Sequence, residues 1–393
     1  MSEAPSAVPP TAPPREKLEY LNSLRGMAAL LVAVKHCLSV FPQFHPSNHF
    51  EIGGFSMMRA LSFTPFHLFW GGMEVVIFFY VLSGFALALP YAQGRAPGYG
   101  DYLLKRFCRL YPPYLAVVFI SSTLLLLNLG HHEVEGASRV WLVEWRAPVS
   151  GREALRLLLM AGNFQNINKA LWSLVVEADI CLFFPLLAWG VMRLEWKANL
   201  IVAALAGWLA ALWMVHVRSH PTLSRWEFFY YVPFFILGIT LAKYREKTTP
   251  FLKSLPPVKK AALALLVFVL FNWRWEFWRL PLLRGQDPWA DNFAVGVATV
   301  GILAFALASP SFQKFLLGPF WVWMGRRSYS FYLIHVVVLL AVIHFLPAAM
   351  PLVAKVGLAL LSVFPLTALF HRWVEKPSQA WGHRLVEKLH RRA

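Results

Sequence analysis

LRGMAALLVAVKHCLSV, residues 24–40, decides how the rest of the chain is read. The run is long enough to cross a bilayer, for which a helix needs roughly 17 residues or more, yet it carries Arg25, Lys35 and His36. Ionisable groups inside such a span are expensive and mark a reaction path, a transport path or a structural polar network. Arg25 and His36 are eleven positions apart. At about 3.6 residues per turn that is close to three turns, so the two side chains leave one helix face about 16 Å apart along the axis. One face carries a permanent cation at one depth and a titratable imidazole at another.

The whole chain of 393 residues has this character. It is 58% hydrophobic and 15% charged, with a mean hydropathy of +0.52, where a soluble domain is about 25% charged. Ten apolar spans are predicted, at about 21–41, 70–90, 111–129, 171–192, 199–217, 227–243, 258–273, 291–309, 328–347 and 351–371. The fold class this implies is an all-α, polytopic membrane helical bundle of about ten transmembrane helices. Residues 1–19, rich in Pro, Ala and Ser at their start, read as a disordered cytoplasmic tail with no cleavable signal. Residues 20–373 form the membrane domain, and 374–393 are a basic, amphipathic cytoplasmic tail suited to a membrane face.

The net charge of +17 does not point to nucleic acid, because no soluble basic module carries it. With both termini inside, most Lys and Arg fall on the cytoplasmic side, as the positive-inside rule requires, and attract anionic lipid headgroups. Trp273, Trp275, Trp278, Trp321 and Trp323 fall at span ends and read as interfacial anchors. Cys37, Cys108 and Cys181 have neither the number nor the spacing of a disulfide framework or a zinc site, and no metal is expected. The two long outer connections, 42–69 and 130–170, are the natural place to meet an acceptor, or else are solvated caps. The second holds His131, His132, Glu133, Glu135, Arg139 and Glu144.

Glu74 lies near the outer end of the second span, at a depth His36 could share. A carboxylate that accepts one imidazole N–H leaves the other nitrogen free to take a proton, as a general base must; the alternative is a buried structural hydrogen bond. Arg25 lies near the inner end, where a guanidinium suits a phosphate or a polar amide chain. Lys105, Arg106 and Arg109 precede the third span, and the i, i+3 pair Arg106 and Arg109 shares a helix face able to grip a polyphosphate. Pro112 and Pro113 are expected to break or start a helix there. Glu177, Asp179 and His335 are further ionisable groups within spans, on a reaction path or in a structural network. Ser83 and Gly84 read as packing residues.

RGMAALLVAVKH, GGMEVVIFFYVLSGFALAL, KRFCRLYPPY, LWSLVVEADICLFFPLL, SYSFYLIH and RWVEKP together resemble the acyltransferase-3 family of integral membrane acyltransferases. They occur in the family's order and span nearly the whole chain. The resemblance implies transfer of an acyl group, most often acetyl from cytoplasmic acetyl-CoA, to a hydroxyl of a carbohydrate or glycolipid in the bacterial cytoplasmic membrane. It makes His36 the catalytic histidine and Arg25 a holder of the donor, and Arg106 and Arg109 match the family's paired arginines. Glu74 stands where many relatives have aspartate. Arg326, Arg327 and His335 complete the expected donor-side set. The chain ends soon after the tenth span, so no extra hydrolase-like domain is expected. Buried ionisable groups fit a proton-coupled permease or flippase equally well; the absence of a visible repeat and the ordered motifs favour the enzyme.

Overall fold

The computed structural model describes residues 18–44, 71–128, 134–138, 141, 144–145, 147–161, 164–217, 227–273 and 288–392. Expectations for the segment 1–17, for 45–70, for His131, His132, Glu133 and Arg139, and for Trp275 and Trp278 lie outside the described residues. Among the described residues there is no strand. The helices in chain order are α1 (Glu19–Ser39), α2 (Met73–Ala92), α3 (Tyr99–Asn128), α4 (Gly151–Leu158), α5 (Leu171–Arg193), α6 (Trp196–Val217) and α7 (Phe228–Ser254). They continue as α8 (Pro257–Phe271), α9 (Pro288–Ala308), α10 (Pro310–Leu316), α11 (Pro319–Phe345), α12 (Leu352–Phe370) and, after a π-helical turn at His371–Glu375, α13 (Lys376–Arg392).

Every expected span coincides with a helix, but the count of ten is corrected. Among the described residues, seven helices are long and apolar enough to cross a membrane. These are α2, α3, α5, α6, α9, α11 and α12, the last continuous with the tail. The 15 residues of α8 fall short of the about 20 a span needs. The apolar run of α7 stops at Lys243, and α1 is diluted by Glu19, Arg25 and Lys35. Exposed Phe119, Leu126, Leu186, Leu205 and Leu361 face outward from the bundle, an arrangement that suits lipid and not water.

Two apolar cores share α1. Leu21, Leu24, Ala28 and Val32 pack with α2, α5, α7 and α9, whereas Ala29, Ala33 and Cys37 pack with α3, α11 and α12. The seam between the cores therefore runs along α1. Two glycine crossings hold it closed. A Cβ on Gly26 would lie 2.6 Å from the Gly325 nitrogen, and one on Gly325 would lie 2.5 Å from the Asn22 carbonyl, so α1 and α11 touch backbone to backbone. Gly84 and Gly238 do the same for α2 and α7, where a Cβ on Gly238 would lie 2.0 Å from the Val81 carbonyl oxygen. Small residues permit this approach, the main source of helix association where lipid removes the hydrophobic drive.

Pro112 and Pro113 do not break α3, which runs through both. A proline inside a helix leaves the carbonyl four residues back without its donor. For Pro112 that carbonyl is Cys108, and the Ser378 hydroxyl donates to it. Gly382 packs on Cys108 one turn further along α13. The basic tail is thus a helix laid along α3, with one face against protein.

The segment between α3 and α5, expected as a loop, is also more than a solvated cap. Trp141 and Trp145 within it are buried. The Ser138 N–H donates to the Val40 carbonyl at 2.7 Å and the Ser138 hydroxyl to the Ser39 carbonyl at 2.8 Å. The Asn168 amide donates to the Leu333 carbonyl at 2.9 Å. Within the segment, Ser150 caps α4 by accepting from the Glu153 N–H at 3.2 Å, as an N-cap serine does. The Ser138 and Asn168 bonds fasten the segment to the end of α1 and to the middle of α11.

Candidate active site

His36, on the last full turns of α1, meets His335 of α11 across the seam, with 2.8 Å between His36 Nδ1 and His335 Nε2. The two ring planes are within 13° of parallel. The far nitrogen of His335 settles the proton positions. His335 Nδ1 lies 2.7 Å from the Tyr332 carbonyl oxygen, which can only accept, so Nδ1 carries hydrogen. His335 Nε2 is then the acceptor and His36 Nδ1–H the donor. That leaves His36 Nε2 with a lone pair, the tautomer a general base requires.

The imidazole N–H assigned to Glu74 on sequence grounds therefore goes to His335. Glu74 lies at the start of α2, buried, and acts electrostatically on Lys35. The Lys35 chain lies over Gly72, where a Cβ would come within 3.1 Å of Nζ. The reason is register: Lys35 and His36 are adjacent on α1, about 100° apart around the helix, and it is Lys35 that turns toward α2 while His36 turns toward α11.

About three turns below, a cavity of about 60 Å³ opens at the same seam, lined by Arg25, Arg106, Arg109, Glu177, Ser83, Ser173, Tyr80, Tyr329 and Tyr332 among others. By volume it holds only about four to six waters. Arg106 is committed: it donates to Glu177 Oε1 and, through Nε, to Cys181 Sγ at 3.1 Å. Glu177 also accepts from Ser83 at 3.2 Å, so Ser83 is a polar partner in addition to lining the packing surface. Arg25 has one long bond, 3.5 Å to Asn22 Oδ1, and Arg109 makes no hydrogen bond or ion pair among the described residues. Three guanidiniums thus line the cavity against one carboxylate. A concave site with such an excess and with free planar donors selects anions.

Glu375, in the π-helical turn, is the other carboxylate acting on Arg25 and Arg109. It is buried behind the cavity wall and accepts from Ser330, from His371 Nδ1 at 2.9 Å and from Gln379 at 2.9 Å. Arg326 and Arg327 do not reach the cavity. Arg326 is exposed and paired with Glu19 at 2.8 Å, and Arg327 donates to the Trp323 carbonyl at 3.3 Å and stacks on that ring. Tyr332 links the two levels. Its ring edges onto Phe79, its hydroxyl lies 2.6 Å from Ser173 Oγ in the cavity wall, and its carbonyl holds His335.

One helix, α1, thus carries an arginine at the cavity and, about three turns away, an imidazole held by His335. Residues 18–372 match the family model Acyl_transf_3, described as an acyltransferase domain. The chain belongs to the acyltransferase-3 family. No curated relative and no solved structure matches it. As a member of the acyltransferase-3 family with several membrane-crossing helices, the protein is an integral membrane acyltransferase acting on an acyl donor and an acceptor.

Four residues of this site carried little signal in the sequence. Glu375 sits in the quoted RWVEKP motif, but the π-turn that buries it does not show in hydrophobic periodicity. Trp141 and Lys169 lie in a loop, and Tyr332 acts through its backbone, which no side-chain pattern encodes. Trp141 meets the His36 ring edge-on at 6.0 Å between centroids and donates to Ser39 Oγ at 3.0 Å. Lys169 sits 3.0 Å from the centre of the Trp141 ring and 2.9 Å from Glu144 Oε1. Burial outweighs the help of Glu144 and holds the Lys169 ammonium down at about 8; burial likewise raises the Glu144 carboxyl.

Proposed function

We propose that the enzyme moves an acyl group, acetyl by family precedent, from cytoplasmic acyl-CoA to a hydroxyl of a carbohydrate or glycolipid acceptor, with both termini inside and the membrane a bacterial cytoplasmic one. The observation that carries this reading is the stacking of two unlike sites on α1: an arginine-lined cavity at Arg25 and an imidazole at His36 whose Nδ1 is held by His335. A separation of about 16 Å is comparable to the reach of a pantetheine arm. A cavity this narrow admits a chain and not a nucleotide, so the nucleotide end stays at the rim with its phosphates toward Arg109 and Arg25.

In the transfer step His36 Nε2 takes the acceptor O–H proton as that oxygen attacks the thioester carbonyl. The C–O bond forms, the C–S bond breaks, and the CoA thiolate recovers the proton from His36. His335 takes the place proposed for Glu74: it fixes the tautomer and shares the imidazolium charge while the proton is in transit. Glu74 is left with Lys35. Arg106 serves the donor indirectly, by holding Glu177 against the wall.

Calorimetry with acetyl-CoA on the detergent-purified protein tests the donor site. Arg109→Ala and Arg25→Ala should each weaken binding at least tenfold, and His36→Ala should leave binding within about twofold while abolishing turnover. Binding unchanged in both arginine variants overturns the phosphate assignment; turnover retained in His36→Ala overturns the base.

A further inference from the structure

The segment between α3 and α5 meets His36 through side chains the transfer step does not use. Trp141 covers the imidazole edge-on at 6.0 Å. It is pinned from one side by its bond to Ser39 at 3.0 Å and from the other by the Lys169 ammonium, 3.0 Å from the ring centre. Lys169 is in turn held by Glu144 at 2.9 Å, and both side chains are nearly excluded from solvent. A cation on the face of Trp is worth more when desolvated, and the neighbouring Asn168 ties the same backbone to α11 two residues before His335.

We infer that Lys169 and Trp141 are positioning residues that decide whether the acyl group meets its acceptor or water. The inference rests on the acyl-CoA reading above. On this inference the clasp restricts the approach of water to His36 Nε2. Without it, water reaches the position meant for the acceptor hydroxyl. Water then loses a proton to His36, its oxygen bonds to the thioester carbon, the C–S bond breaks, His36 returns the proton to the CoA thiolate, and CoA thiol and acetic acid, which ionises to acetate, are released. Keeping water from a reactive intermediate is a recognised use of a closed site. The clasp does so with one cation, one indole and one carboxylate.

The test needs no knowledge of the acceptor. Purified wild type, Lys169→Met and Lys169→Arg are given acetyl-CoA alone, and free CoA is followed by chromatography, with acetyl-CoA affinity measured in parallel. Lys169→Met is expected to hydrolyse the donor at least about fivefold faster than wild type with affinity within twofold, and Lys169→Arg, which keeps the cation on the ring, to stay near wild type. A Lys169→Met protein that binds donor but leaks no faster overturns the inference, as does a Lys169→Arg protein equally leaky. Should Lys169→Met not fold, Glu144→Gln carries the same expectation, and an unchanged leak there overturns it. A wild type that binds no acetyl-CoA overturns the donor reading, and this inference with it.

Discussion

Replacing Glu177 with Gln probes the electrostatic core of the site. Glu177 is the sole carboxylate in the cavity wall, facing Arg25, Arg106 and Arg109, so the change takes the lining from an excess of two positive charges to three. Removing one partner of a buried pair typically costs about 3–5 kcal/mol. Here the side chains retain 12% and 21% exposure and open onto a cavity that admits water, which brings the expected loss to about 2–3 kcal/mol. Binding should move the other way. One unit of charge at about 8 Å with an effective dielectric near 20 is worth at most about 2 kcal/mol, and screening leaves about 1 kcal/mol, or roughly fivefold tighter binding of an anionic donor. The assay is thermal unfolding in detergent across a titration of CoA: the variant should melt lower than wild type without CoA and recover part of the deficit at saturation, since ligand stabilisation grows with affinity. A variant as stable as wild type, or one that binds CoA more weakly, refutes the picture of an anion site partly neutralised by its own glutamate.

Three further outcomes are expected. His335→Ala deprives the His36 N–H of its acceptor and should lower kcat/KM about 10- to 100-fold, the usual cost of losing an orienting partner, with acetyl-CoA affinity unchanged; an equal loss of affinity would make His335 a donor contact instead. Gly238→Ala forces a Cβ to within 2.0 Å of a backbone carbonyl on α2, so destabilisation of at least about 1–3 kcal/mol is expected, read as a lower melting midpoint, whereas Gly190→Ala, whose Cβ meets nothing, should be neutral or slightly stabilising. The third outcome concerns pH. Lys169, faced by Glu144 and Lys35, releases its proton near pH 8 when folded and near 10.4 when unfolded. Between those values the unfolded chain binds the extra proton, so this group's contribution to stability rises with pH across the window, while the cation on Trp141 is lost. The acceptor-free hydrolysis of wild type should therefore climb above pH 8 beyond that of Lys169→Arg, whose cation persists; parallel pH profiles would refute the link.

The helices and several site residues could be read before any coordinates. Long apolar runs define the bundle, and the spacing of Arg25 and His36 places both on the inward face of α1, because helix periodicity is local and a charged group in an apolar run has nowhere favourable to point but inward. The i, i+3 spacing likewise carried Arg106 and Arg109 to one cavity. The proline pair misled because its rule counts only local donors, and Ser378, hundreds of residues away, supplies one. The span count was too high because α8 is a helix of only 15 residues, the apolar run of α7 stops at Lys243 although its helix continues, and α1 is diluted by Glu19, Arg25 and Lys35.

The sequence by itself determined an all-α membrane protein of the acyltransferase-3 family and the helix face that Arg25 and His36 share, since composition, periodicity and ordered motifs are properties of the linear chain. Only the tertiary structure decided that His36 meets His335 and not Glu74, that Arg106 is matched by Glu177 while Arg109 has no partner among the described residues, and that Trp141, held by Lys169, lies against the His36 ring. Each of these is a choice among partners apart in the chain, made by how the helices pack: the close crossing of α1 with α11 brings His36 to His335, and the bonds of Ser138 and Asn168 hold the Trp141 segment against α1 and α11.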